Sequence, residues 1–129
     1  KLFVFWAERF EGPYHPHNLN PVKVDPAGSR PGGNLIKWQE ALYRPAQVYQ
    51  FYYGRKILIN KIIQLSPNVF NEVESQEINP AIFGDKYDGL HTYNVSGDTY
   101  AVDLKQHRFG ISAFWFGWNQ RKRKGGKHV

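Results

Sequence analysis

The chain contains no cysteine, so disulfides and thiolate metal sites are excluded, although this does not decide the compartment. Methionine is absent too, even at the first position, as expected of a processed N-terminus or of a piece of a longer protein. No apolar run approaches the roughly 20 residues of a membrane-spanning helix, so no membrane span is expected, and no signal peptide is recognisable. Helix-forming windows are scarce as well. Twelve Gly and eight Pro, spread without a period, interrupt nearly every stretch long enough to hold a helix.

What remains is rich in rings and β-branched side chains. Aromatic residues make up 16% and hydrophobic residues 41% of 129 positions, enough for one domain with its own core. Disorder is thereby excluded for most of the chain. Short strands joined by many turns are expected, and the class is all-β. The formal charge is +6, but Arg121, Lys122, Arg123, Lys124 and Lys127 supply five of the 17 cations, and without them the body nearly balances its 11 acids. That tail is read as a solvated terminus, and nucleic acid is not an expected partner.

Lys1 to Phe10, KLFVFWAERF, reads as a strand buried on both faces, and Pro13 to Pro26 as an ordered loop. His15 and His17 share a face if extended, but Pro16 separates them and no third ligand lies nearby. A packing or hydrogen-bonding role is preferred and no metal is expected. Four strands follow, at 34–38, 41–47 (broken by Pro45), 55–65 and 69–78, running from apolar to acidic. Such a succession describes one propeller blade. A link through Asp85 and Asp88 leads to a hairpin, 89–94 and 99–104, turning at Ser96-Gly97-Asp98. Asn94-Val95-Ser96 matches the N-glycosylation pattern, a weak signal alone. Phe109 to Trp118 is a further strand or an aromatic segment that covers a neighbour.

Several phrases occur together and in order: GPYHPHNLNPVKVD, GSRPGGNL, ALYRPAQ, Tyr53-Gly54, and DGLHTYN followed by YAVD. They resemble the C-terminal part of a five-bladed β-propeller related to the arabinanase and β-xylosidase glycoside hydrolases. The nearer resemblance is to the N-terminal domain of plant glucosamine inositolphosphorylceramide transferases. It covers roughly residues 1–109 as a propeller-derived domain and leaves 110–129, an aromatic segment with a basic tail, outside it. In that family an aromatic, often Trp, follows the Gly-Pro, where this chain has Tyr14. Many relatives read Arg-Pro-Ala-Gly at Arg30-Pro31-Gly32-Gly33. The resemblance implies a partial propeller, about one full four-stranded blade plus flanking strands. Its missing blades would come from the same longer chain or from a homo-oligomer, with Phe114, Trp115, Phe116 and Trp118 suited to cover an open edge.

Glycoside hydrolysis requires two carboxyl groups flanking the sugar bond. Glu8, Glu11, Asp25, Asp85, Asp88 and Asp103 are available, yet none forms a recognisable pair and none matches a family catalytic carboxylate. Catalytic residues are therefore not assigned, and no cofactor is expected. The polar members of the shared phrases, Arg30, Arg44, Gln47, Tyr53, His91 and Thr92, are the candidate ligand-binding residues for a carbohydrate or glycoconjugate. Arg offers planar anion recognition and Tyr a flat apolar face for a sugar ring. Buried anchoring of backbone carbonyls by Arg30 and Arg44 is an equal alternative, compatible with the first. A glycosidase completed by other blades and an oligomeric assembly protein are the remaining functional readings.

Overall fold

The computed structural model describes residues 1–49 and 55–106. Tyr53, His107, the aromatic segment from Phe109 and the basic tail lie outside them. The described residues form antiparallel sheets and one short 3-10 helix, which establishes the all-β class.

The strands are β1 (Phe5–Trp6), β2 (His15–Pro16), β3 (Arg30–Pro31), β4 (Ile36–Trp38), β5 (Ala41–Val48), β6 (Lys56–Leu65), β7 (Phe70–Ile78), β8 (Gly89–Ser96) and β9 (Thr99–Lys105). The central sheet runs β3-β5-β6-β7, and β4 joins the same edge of β5 as β3 does. Pro45 does not break β5, contrary to the sequence expectation; it pairs with Ile59 inside the strand. Its carbonyl accepts from Gly32 N–H at 2.9 Å, so the side that lacks an N–H faces the gap between β3 and β4. No ladder bond to β6 is lost there.

β4 and β5 meet in a two-residue turn, since Trp38 lies opposite Ala41. Gln39 (φ 45°) and Glu40 (φ 60°) both occupy left-handed conformations, the geometry in which Asn-Gly is preferred. Each non-Gly residue held there costs about 1–2 kcal/mol. The double substitution Gln39→Asn, Glu40→Gly is therefore expected to raise stability by about 1–2 kcal/mol, read as a higher denaturation midpoint with an unchanged m-value.

β5 from Arg44 onward and the first half of β6 are covered on both faces. On one, Ile57, Ile59, Ile78 and Leu90 form a buried cluster, with Tyr43, Tyr93, Val102 and Leu104 packed around it, joining the central sheet to β8–β9. Full burial of one such side chain contributes about 1.5–3 kcal/mol. On the other face, Ala46, Val48, Leu58 and Asn60 lie buried. The turn 23–29 packs there, where buried Ser29 accepts from Asp25 N–H and donates to the Lys23 carbonyl. After β7, Asn79 caps the helix Pro80–Phe83 by accepting from Ala81 N–H at 3.0 Å. The hairpin β8–β9 turns at Gly97-Asp98, with Gly97 at φ 56°.

The N-terminal stretch is not the doubly buried strand that its apolar run suggests. Only Phe5–Trp6 is a strand, and Phe3 and Phe5 are 53% and 58% exposed. Its partner segment is rich in proline, which cannot donate to a ladder. Pairing survives only at Phe5↔Pro16, Trp6↔His15 and the bridge Leu2↔Lys23. Between them the Asn20 amide substitutes for backbone: its Oδ1 accepts from Val4 N–H and its Nδ2 donates to Val4 O.

Candidate functional site

The predicted binding residues divide between the two faces of β5. Arg44 and Gln47 lie three positions apart on one strand, so alternation sends them to opposite sides. The sequence placed them in one phrase; the pleat separates them.

On one side, Arg44 is buried and engaged. Its Nε donates to Glu72 Oε2 at 2.8 Å, and its Nη2 to Glu72 Oε1 at 2.6 Å and to the Gly28 carbonyl at 2.7 Å. Lys23 Nζ reaches the same Glu72 Oε1 at 2.8 Å. Burial pushes the Glu72 carboxyl up, but the hydrogen bonds from Arg44 and Lys23, with their charges, outweigh it and hold the group below its ordinary value. Arg44 Nη1 is buried without a hydrogen-bond partner among the described residues. Glu72 and Lys23 were missed in the sequence. The signal was the acidic alternation of β7, whose register with β6 sets Glu72 opposite Ile62 and hence on the Arg44 face.

On the other side, Arg30 stands directly opposite Gln47, so the two share a face. Gln47 Nε2 donates to the His91 carbonyl at 2.7 Å, which ties the end of β5 to the start of β8. His91 is the extra residue of a bulge between Leu90 and Thr92, and its Nδ1 lies 3.3 Å from Asp103 Oδ2. Thr92 is the register partner of Asp103. Arg30 and Asp103 are exposed, His91 is half-buried, and Gln47 is buried. The Oε1 of Gln47 has no donor among the described residues. Arg30 and Gln47 thus share a face beside the His91 carbonyl, while Thr92 pairs with Asp103, an unpredicted neighbour, on the β8–β9 hairpin. Tyr53 falls in the short undescribed connection that follows β5.

The glycines of GSRPGGNL bring these strands together. Tyr93 N–H donates to the Gly32 carbonyl at 2.7 Å, and a Cβ on Gly33 would stand 2.0 Å from Tyr93 O. Asn34 repeats the device of Asn20: its Oδ1 accepts from Val95 N–H at 3.1 Å and its Nδ2 donates to Val95 O at 3.0 Å. The two histidines of the loop diverge. His15 packs on Trp6, whereas His17 is buried and its Nδ1 accepts from Leu19 N–H at 3.0 Å. Among the described residues no group of three or more His, Asp or Glu could hold a metal ion.

The profile of the family described as "Glucosamine inositolphosphorylceramide transferase 1, N-terminal" matches residues 1–103. The chain belongs to this family. Among curated relatives, the glucosamine inositolphosphorylceramide transferase 1 of Oryza sativa subsp. japonica is 35% identical over 75 residues, 57% of this chain and 10% of the relative. That of Oryza sativa subsp. indica is 39% identical over 64 residues, 48% of this chain and 9% of the relative. The Arabidopsis thaliana protein of the same name is 32% identical over 76 residues, 57% of this chain and 10% of the relative. The chain therefore aligns with about a tenth of the length of these relatives. No solved structure matches. The family match spans the end of the sheet that carries Arg30, Gln47 and His91 as well as the Arg44–Glu72 pair. Among the described residues no helix is long and apolar enough to cross a membrane.

Proposed function

We propose that this chain recognises a glycoconjugate whose sugar headgroup carries phosphate, and that it performs no chemistry by itself. The observation that carries the reading is the unsatisfied Gln47 Oε1, buried beside Arg30 and His91. A buried acceptor without a donor costs about 1–3 kcal/mol, and a ligand hydroxyl arriving there would recover that cost. Arg30, exposed on the same face, supplies a planar fork for a phosphate oxygen pair. His91 and Thr92 are assigned to the same recognition surface, and Tyr53 lies outside the described residues. Arg44 enters this proposal as the anchor behind the sheet rather than as a ligand contact.

The family match supports a glycoconjugate in particular, because the relatives are named for inositolphosphorylceramide. The architecture is proposed to be one propeller blade, with β8–β9 opening the next. Coverage of the buried halves of β5 and β6 on both faces supports this, as does the strand order β3-β5-β6-β7. The remaining blades would belong to a longer chain or to other copies.

The test is cosedimentation of the purified chain with phosphatidylcholine vesicles, with and without inositolphosphorylceramide. Retention is expected only with the phosphosugar lipid, and Arg30→Ala is expected to weaken it about tenfold or more. Equal retention on both vesicles would overturn the recognition reading. Release of the aryl group from aryl glycosides would overturn the absence of chemistry.

A further inference from the structure

We propose a second ligand site, on the N-terminal hairpin: the cleft between β1, β2 and their connecting turn binds one pyranose ring of a glycan, stacked on Trp6. The cleft holds about 380 Å³ and is lined by Trp6, Glu8, Arg9, Gly12, Pro13 and His15. That lies within the range of about 300–1,000 Å³ that small-ligand sites occupy.

The backbone builds it from both sides. Trp6 and His15 are register partners across β1–β2, and their rings meet at 5.0 Å and 36°. His15 thus backs the indole and limits its rotation, while Trp6 keeps 36% of its surface exposed. The turn is closed by Gly12 N–H donating to the Arg9 carbonyl at 3.0 Å, with Gly12 at φ 89°. Tyr14 OH donates to the Phe10 carbonyl at 2.6 Å and holds the turn against β2. The backbone of the turn that carries Glu8 and Arg9 is thereby held at the rim.

The chemistry of these groups selects the ligand. Glu8 and Arg9 are adjacent and opposite in charge, yet neither side chain makes a hydrogen bond or ion pair among the described residues. One offers two acceptor oxygens and the other a fork of donors, which suits neighbouring hydroxyls of one ring. The indole offers a flat apolar face to the C–H side of that ring. A phosphate would meet the Glu8 carboxylate, and the local charge of Glu8 and Arg9 cancels, which disfavours a polyanion. The site lies on a different sheet from Arg30, Gln47 and His91, so it does not depend on the function proposed above.

The chain, labelled with nitrogen-15, is titrated with methyl glucoside, methyl glucosaminide and inorganic phosphate, following the Trp6 indole N–H assigned through Trp6→Phe. A saturable shift with a pyranoside and none with phosphate is expected. Glu8→Gln and Arg9→Gln, both on an exposed turn, are each expected to weaken binding about tenfold, while Arg30→Ala leaves it unchanged. Absence of a saturable Trp6 shift with either pyranoside would overturn the site. So would equal affinity in the Glu8 and Arg9 variants, or a phosphate response as strong as the sugar's.

Discussion

Replacing Glu72 with alanine is expected to destabilise the chain by roughly 3–5 kcal/mol, because it strands a buried guanidinium. The Glu72 side chain is 4% exposed and that of Arg44 7%, so water does not take over the lost contacts. Arg44 would keep the Gly28 carbonyl, but two of its three hydrogen bonds end on Glu72. Lys23, one-quarter exposed, still has Asp25 at 3.9 Å and loses less. The pair itself contributes much less than its rupture costs, since both charges were desolvated to make it. The double variant Arg44→Met, Glu72→Leu is accordingly expected to recover most of the loss, and chemical denaturation of the four proteins measures the coupling.

The pH dependence has a definite sign. Glu72 titrates lower in the folded chain than in the unfolded one, so its contribution is complete above about pH 4.5, the unfolded value, and is lost as pH falls through the folded pKa. The stability gap between the native chain and Glu72→Gln should therefore narrow on acidification below that value. A gap that stays constant down to pH 3, or a Glu72→Ala variant within about 1 kcal/mol of the native chain, would remove the pair as an anchor.

Much of the strand layout is legible because its determinants are local. Alternation, β-branched runs and the Asn/Gly/Pro turn residues locate β5 to β9 to within one or two positions. Lys1–Phe10 misleads because an apolar run signals burial only when a partner strand can pair with it, and prolines at positions 13, 16, 21 and 26 prevent continuous pairing. The site is half legible for a related reason. Arg30, Gln47 and His91 sit in recurring phrases; Arg30 lies opposite Gln47, and the Gln47 amide reaches the His91 carbonyl. The sides to which Arg44 and Gln47 point follow from strand parity, which was available. That Arg44 meets Glu72 and Lys23 depends on the β6–β7 register, shifted twice by irregularities at Ile59/Asn60 and Ile62/Gln64, and no local rule fixes those shifts. The amides of Asn20 and Asn34 are equally hidden, since a polar loop residue carries no mark that it stands in for backbone.

Gly33→Ala is expected to cost roughly 3–5 kcal/mol or to abolish folding, through the contact it forces with β8. Its Cβ would stand 2.0 Å from the Tyr93 carbonyl oxygen and 2.8 Å from the carbonyl carbon. Both are backbone atoms, held by the bond from Tyr93 N–H to Gly32 O, so no side-chain rotation relieves the overlap. Relief requires moving β8 away from the central sheet, which also strains the paired amide of Asn34 and opens the Ile57–Leu90 contact in the core. Gly97→Ala is the control. Gly97 has φ 56°, and nothing lies within 4 Å of a Cβ built there, so only the left-handed conformation is penalised, at about 1–2 kcal/mol. The two variants carry the same added methyl, and the difference between their denaturation midpoints isolates the close approach of the two sheets. Equal costs would mean that β8 is free to shift. In that case the alignment of His91 with Gln47 would not be rigidly set by the glycine joint.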